Sequence, residues 1–492
     1  MAKPQAHIEG LAEFLDSHVE WLVVRENGRT ISFLRSEFEI ENSNGKATLS
    51  YVDDKGLGTW RIDAVEIDGI EVVARISSKV RNESEILRFV PRESAADLRA
   101  NIELARLQKA NEIAEIFTES EPGIRLLRVS LNVENGRIAQ IEIEDRDKKR
   151  TGLMADVTSS VTHESLLAST LKWLDHLSGR RKNPIDHAAI IAEKRQARSL
   201  QKLLALLNKG SRANISIFEI DRKGARPVAK ELRHLKMSEL WRERAGKLKL
   251  LQTVEPTKTA GKIIEMSPEK IDLIVSKNGE TLRFFGIPFA RVRAAMGREK
   301  AWFGAGQVRR PVTESAKRAF RELRDELDLY RSANSPNKRH DWFRLGSEAW
   351  LESILRRNIK LLDANLILSP IYNQFRSSND KIDLLAIRKD GRLVIIEIKT
   401  APDRDLILQA ADYWRKIELQ RRRGILAEAN LFGEMRIIDR PALIYTVAPA
   451  LSFHYDFEYF ARTLNSEIEL WRWELHDDWR REIKVIGRER YT

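Results

Sequence analysis

Residues 381 to 400, KIDLLAIRKDGRLVIIEIKT, constrain the fold more than any other stretch of this chain. Two apolar runs flank Asp390-Gly391, a dipeptide that reverses the chain between paired strands. The second run, Leu393–Ile396, is apolar at every position, so it needs cover on both faces and belongs inside a sheet. It ends in Glu397-Ile398-Lys399. Side chains alternate along a strand, so Glu397 and Lys399 leave one face and Ile398 the other. Asp383 and Glu397 are 14 residues apart, with their midpoint at residue 390. Direct opposition about that midpoint requires a three-residue loop, Lys389-Asp390-Gly391, closed by a left-handed glycine. A two-residue Asp-Gly loop would put Asp383 opposite Ile398 and split the carboxylates across the sheet. The spacing therefore predicts the longer loop and a positive φ at Gly391.

Two carboxylates and a lysine at the end of a buried hairpin are costly unless something uses them. A divalent cation does. Mg²⁺ takes a few carboxylate oxygens together with water and phosphate oxygens. It acidifies a bound water and neutralises charge developing on a phosphate under attack. A lysine beside it can orient or deprotonate that water and stabilise the transition state.

Asp383 followed across a hairpin by Glu397-x-Lys399 resembles the PD-(D/E)xK phosphodiesterase superfamily, with Ile382 in place of the nominal proline. The family also carries an acidic residue on a helix before the hairpin. LGSEAWLESILRRN, residues 345 to 358, offers Glu352, with Glu348 one turn earlier on the same face. Glu352 is preferred because its context and spacing look like the Mrr-like and mismatch-endonuclease branches. Gln409 and Tyr413 look like the Gln-x-x-x-Tyr motif of RecB-like nucleases, and i and i+4 share a helix face. The resemblance covers roughly residues 341 to 450. It implies Mg²⁺ or Mn²⁺ held by Asp383, Glu397, the main-chain carbonyl of Ile398 and Glu352. It also implies Lys399 positioning a water, with Gln409 and Tyr413 fixing Lys399 or the substrate backbone.

Two upstream segments share the local pattern without the chemistry. KIDLIVSKNGETLRFFGIPF, residues 270 to 289, has Asp272 in place of Asp383 but Gly286 and Pro288 where the acid and lysine would stand. RIDAVEIDGIEVVARI, around Asp63, fails in the same way. Both read as structural hairpins.

The expected fold class is α/β (α+β) and multidomain. A C-terminal restriction-endonuclease-like mixed sheet flanked by helices would follow β-rich α+β domains. The boundaries read as 1–120 (α+β), 121–210 (α+β with two helices), 211–312 (β-rich), 313–340 (helix and linker) and 341–492 (nuclease). Helices are expected at Ser94–Phe117, His163–Leu177 and Pro184–Asn208, the last with Asn183 as cap. Strands are expected at Ile31–Glu41, Ile215–Ile220 and Lys262–Met266. SANSPNKR, residues 332 to 339, is small, polar and basic, and reads as the linker before the nuclease domain.

There is no cysteine among the 492 residues, which excludes disulfides, thiolate zinc sites and cysteine nucleophiles. The net charge of +12 favours a polyanionic partner. MAKPQAHIEG lacks the apolar core of a signal peptide, and no stretch is long enough to span a bilayer, so a cytoplasmic protein with no membrane partner is expected. No phosphate-binding loop appears, so a helicase or ATPase would be a separate partner, and a homodimer is compatible with the sequence. Arg415, Lys416, Arg421, Arg422 and Arg423 extend the Gln409/Tyr413 helix. They read equally as phosphate contacts or as a solvated helix end complementing the dipole. Trp414 reads as core.

The functional expectation is a metal-dependent nuclease hydrolysing DNA, an endonuclease of DNA repair or of defence against foreign DNA, with RNA as the lesser substrate. The alternative is an inactive nucleic-acid-binding scaffold that keeps the fold.

Overall fold

The structure is a computed structural model. It describes residues 11–26, 28–43, 46–53, 56–68, 70–77, 84–92, 95–224, 226–243, 255–276, 279–295, 298–305, 309–369 and 383–491. Ile382 and the N-terminal decapeptide lie outside the described residues. The fold is mixed α/β and multidomain, and the described residues form four sheets. The chain divides into two compact units, residues 1–201 with 213–234, and 202–212 with 235–492.

In the first unit, seven strands form an antiparallel sheet: β1 (Glu20–Arg25), β2 (Thr30–Leu34), β3 (Phe38–Ser43), β4 (Lys46–Asp53), β5 (Gly56–Asp68), β6 (Glu71–Ser77) and β7 (Ser84–Pro91). The single strand expected at Ile31–Glu41 is broken by a 3-10 turn at Arg35–Glu37, where the Glu37 carboxylate accepts the Leu34 N–H. Helix α1 (Ala95–Ser120) follows, as the leucine and alanine spacing predicts.

The second sheet of this unit is ordered β13-β12-β11-β10-β9-β8: β8 (Arg125–Leu131), β9 (Ile138–Glu144), β10 (Arg150–Asp156), β11 (Ala188–Glu193), β12 (Ile215–Asp221) and β13 (Val228–Leu232). Here two expectations fail. Pro184–Asn208 is not one helix: β11 occupies its first part and a helix begins only at Lys194. AAIIAE has helix-forming alanines, but it lies parallel between β10 and β12 and is buried on both faces, a context that overrides propensity. The strand at Ile215–Asp221 belongs to this sheet rather than to the 211–312 block.

The second unit holds two sheets. One is β14 (Ile271–Ser276), β15 (Gly279–Phe284), β16 (Ile287–Ala295), β17 (Arg298–Phe303) and the short β18 (Arg310–Pro311). Its apolar face packs on helices α2 (Lys258–Ile264) and α3 (Lys317–Tyr330). Lys262–Met266, expected as a strand, instead holds the last turn of the helix α2 (to Ile264) and the turn after it; Thr257 starts that helix by accepting the Ala260 N–H with its side chain.

The other sheet is β19 (Leu366–Leu368), β20 (Leu384–Arg388), β21 (Leu393–Ile398), β22 (Leu443–Pro449), β23 (Glu469–Leu475) and β24 (Val485–Tyr491), hydrogen-bonded in that order. Strands β21, β22 and β23 run parallel and the others antiparallel, giving the mixed sheet expected. Helix α4 (Ser347–Arg357) covers one face, where Trp350, Leu351 and Leu355 meet Leu384, Ala386, Val394, Ile396 and Ile398. Helix α5 (Leu406–Arg422) packs on β21 and β22 from the other side.

Residues 332–339 do not separate independent bodies, since both flanks belong to this unit. Arg331, immediately before them, is fully buried. Its guanidinium donates five hydrogen bonds to the carbonyls of Phe285, Trp342, Leu345 and Gly346, at 2.6–3.0 Å. Phe285 stacks on Trp350 at 5.5 Å, and an added Cβ at Gly286 would meet the Ala349 carbonyl at 2.3 Å. The β15–β16 turn is thus seated against α4.

Candidate active site

The hairpin register is the one that the spacing requires. Leu384 pairs with Ile396 and Ile387 with Leu393, so the pairing is symmetric about residue 390. Arg388 donates to the Arg392 carbonyl at 2.8 Å, leaving Lys389-Asp390-Gly391 as the loop, and Gly391 has φ +84°. The glycine has a second reason to be there. A Cβ on it would lie 2.6 Å from the Arg436 carbonyl oxygen, and its own carbonyl accepts the Ile438 N–H at 3.0 Å.

Continuing that register one step sets Asp383 against Glu397. Both are buried, at 9% and 4% exposure. Strand β20 begins only at Leu384, so the ladder ends there, and the Asp383 carboxylate accepts the Ile398 N–H at 2.9 Å. In a strand the N–H and C=O of one residue point to the same side. The Ile398 carbonyl therefore points toward the Asp383 side, past the end of the ladder.

Every residue of β21 is buried, so the strand is covered on both faces as its composition predicts. Ile396 and Ile398 face α4, so Glu397 and Lys399 project toward the side of α5. Lys399 Nζ lies 3.9 Å from Glu397 Oε1 and 2.9 Å from Asp403 Oδ2. Burial works against its charge, but Glu397, Asp403 and Glu348 outweigh it and hold the ammonium above the usual lysine range. Asp403 carries no sequence signal of this role, because it stands in the loop after the motif.

The preceding helix departs from expectation. Glu352, 1% exposed, receives Arg356 at 2.6 Å and lies 3.6 Å from Arg283. Arg283 also reaches Asp272, which Arg357 holds at 3.0 Å. Glu352 thus belongs to a buried charge network on the α4 side. Glu348, exposed in the first turn of α4, is the acid of this helix whose field reaches Lys399. Its neighbour Ser347 is hydrogen-bonded to Thr400 at 2.5 Å. In the upstream hairpin Asp272 stands directly opposite Arg283 on β15.

Gln409 and Tyr413 lie half-buried on α5. The basic residues after them, which read equally as phosphate contacts or as a solvated helix end, are engaged in ion pairs and hydrogen bonds within this unit. Arg415 and Lys416 hold Asp412 at 2.8 Å each. Arg421 and Arg422 hold the fully buried Glu418, and Arg423 donates to the carbonyls of Trp241 and Glu243. Glu418 also accepts the Ala442 N–H, so this cluster fastens α5 to the strand it covers. Trp414 is core, donating to the Ala442 carbonyl at 2.8 Å.

The donor set at the hairpin end, two carboxylates and a main-chain carbonyl, is all oxygen and fits a hard divalent cation such as Mg²⁺ or Mn²⁺.

No family model and no curated protein matches this chain. Among solved structures, EndoMS in apo form aligns at 13% identity over 44% of this chain and 94% of that one, with a TM-score of 0.17. The EndoMS–dsDNA2 complex aligns at 12% identity over 39% and 89%, with a TM-score of 0.14. Likeness at these TM-scores carries no weight for fold or function. No described helix is long and apolar enough to cross a membrane.

Proposed function

We propose that the chain is a metal-dependent nuclease that hydrolyses DNA phosphodiester bonds at the end of the β20–β21 hairpin. One observation carries the reading: the register sets the Asp383 and Glu397 carboxylates together, with the Ile398 main chain and the Lys399 ammonium beside them. Asp383, Glu397 and the Ile398 carbonyl would hold the cation. When bound, it supplies an acidified water and offsets charge on the phosphate. Lys399, held charged by its neighbours, presents a cation to the scissile phosphate. Gln409 and Tyr413, half-buried on α5, would fix Lys399 or the substrate backbone. Glu352 serves by fixing α4 through Arg283 and Arg356, while Glu348 is the acid of that helix assigned to the site. Repair of DNA and defence against foreign DNA are the roles such an activity fits.

Purified protein should cut at least one of single-stranded DNA, duplex, branched DNA or RNA in Mg²⁺, with DNA preferred and Asp383→Ala as the blank. Lys399→Ala should lose about 10²–10³-fold in rate while binding is retained. Absence of metal-dependent cutting of all four would sink the reading.

A further inference from the structure

The β14–β18 sheet sorts its charges by face. Cross-strand partners share a face, so Thr281, Arg291 and Trp302 form one row, and Gly279, Arg293 and Lys300 the next. Ala295 and Arg298 continue it, and Arg309 lies close enough to Arg291 to act on its charge. The acids of these strands are elsewhere. Glu280 and Glu299 pair with Val292 and Ala294 on the opposite face, where they bond Thr257 and the Lys258 and Thr259 amides. Asp272 is buried under α4 with Arg357.

What remains is a face of Arg291, Arg293, Arg298, Lys300 and Arg309 around the half-buried ring of Trp302. Arg291, Arg298, Lys300 and Arg309 form no ion pair among the described residues. Burial, then the neighbouring Arg309 and Arg293, pull the Arg291 guanidinium below its usual range. The face is also continuous with the covered one. Thr281 is two residues along β15 from Arg283, about 7 Å, and Arg283 lies 3.6 Å from Glu352 on α4.

We propose that this face binds single-stranded nucleic acid, its cations on successive phosphates and Trp302 under a base. Cations crowded on one face, four of them without an ion pair among the described residues, ask for a polyanion, and an aromatic ring among them suits an unpaired base, because every base has a face to stack. A duplex would offer the ring nothing to stack on. The proposal rests on the reading that the chain acts on nucleic acid, but not on the metal site.

The test is binding of a labelled 20-nucleotide single strand and of its duplex, by fluorescence anisotropy in EDTA across a salt series, using the full chain. Arg293→Ala/Lys300→Ala should weaken single-strand binding and lower the slope of log K against log salt by about 1.4, from roughly 0.7 per phosphate contact. Trp302→Ala should weaken it about tenfold with the slope unchanged. Arg318→Glu, on an exposed site of α3, is the control and should behave as wild type on this face's scale. Melting temperatures of all variants identify any that fail to fold, and Trp302→Phe should restore part of the affinity. Unchanged single-strand binding in the folded patch variants would overturn the proposal. So would equal losses in the control, or losses confined to duplex. Patch-dependent binding without cleavage in any metal would sink the nuclease reading and leave this one standing.

Discussion

Two glutamates one turn apart on α4 separate by their surroundings. Glu352 is almost fully buried against two arginines, while Glu348 is exposed in the helix's first turn and acts on Lys399. Removing one partner from a buried charge cluster leaves the others uncompensated, at about 3–5 kcal/mol. Glu352→Gln is therefore expected to lower stability by that order in urea denaturation. Glu348→Gln should change stability by less than about 0.5 kcal/mol, as exposed substitutions do, yet reduce cleavage. Equal stability losses for the two would contradict this division. Arg331 makes a second residue-scale case. Burial, with Arg480 nearby, pulls its pKa down to about 9, and four carbonyls depend on its donors. Arg331→Met should destabilise by at least about 3 kcal/mol, since buried acceptors are costly to leave unmade.

At the scale of elements, the β20–β21 hairpin was legible because its determinants are local: an apolar pattern, a turn dipeptide and a spacing of 14. Gly391 ties that pattern to the rest of the sheet. Gly391→Ala faces both φ +84° and an atom 2.6 Å from the new Cβ. It should cost about 1–3 kcal/mol and weaken the affinity for Mn²⁺, because the loop sets the opposition of Asp383 and Glu397. A variant with wild-type melting temperature and metal affinity would show that the register does not depend on this glycine. Other elements were misread where the deciding information was not local. AAIIAE reads as helix until two parallel neighbours bury it. Lys262–Met266 reads as strand, although Thr257 caps a helix that ends within it at Ile264. The basic end of α5 reads equally as a phosphate surface or a solvated helix end, whereas Asp412 and Glu418 on the same helix hold four of its five cations.

For the whole molecule, the consequence is that the site does not stand on residues 341–492 alone. Arg331, the Phe285–Gly286 turn and the Arg283–Glu352 contact bind the β14–β18 sheet to α4 within one compact unit. A chain beginning at residue 341 should melt well below the full protein and expose Trp350 to solvent, as tryptophan fluorescence would report. An equally stable truncated domain would show that these contacts are dispensable. The hairpin, its register and the face shared by Glu397 and Lys399 follow from residues 381–400 alone, because alternation, turn chemistry and burial of an all-apolar strand act within some twenty residues. It took the tertiary structure to bring the charge of Glu348 within range of Lys399, to set Asp403 beside that ammonium, and to bury the arginine from which the polar 332–339 segment begins. Those are pairings between groups far apart in the chain, and which charges are left to solvent depends on which distant partners have already taken the others.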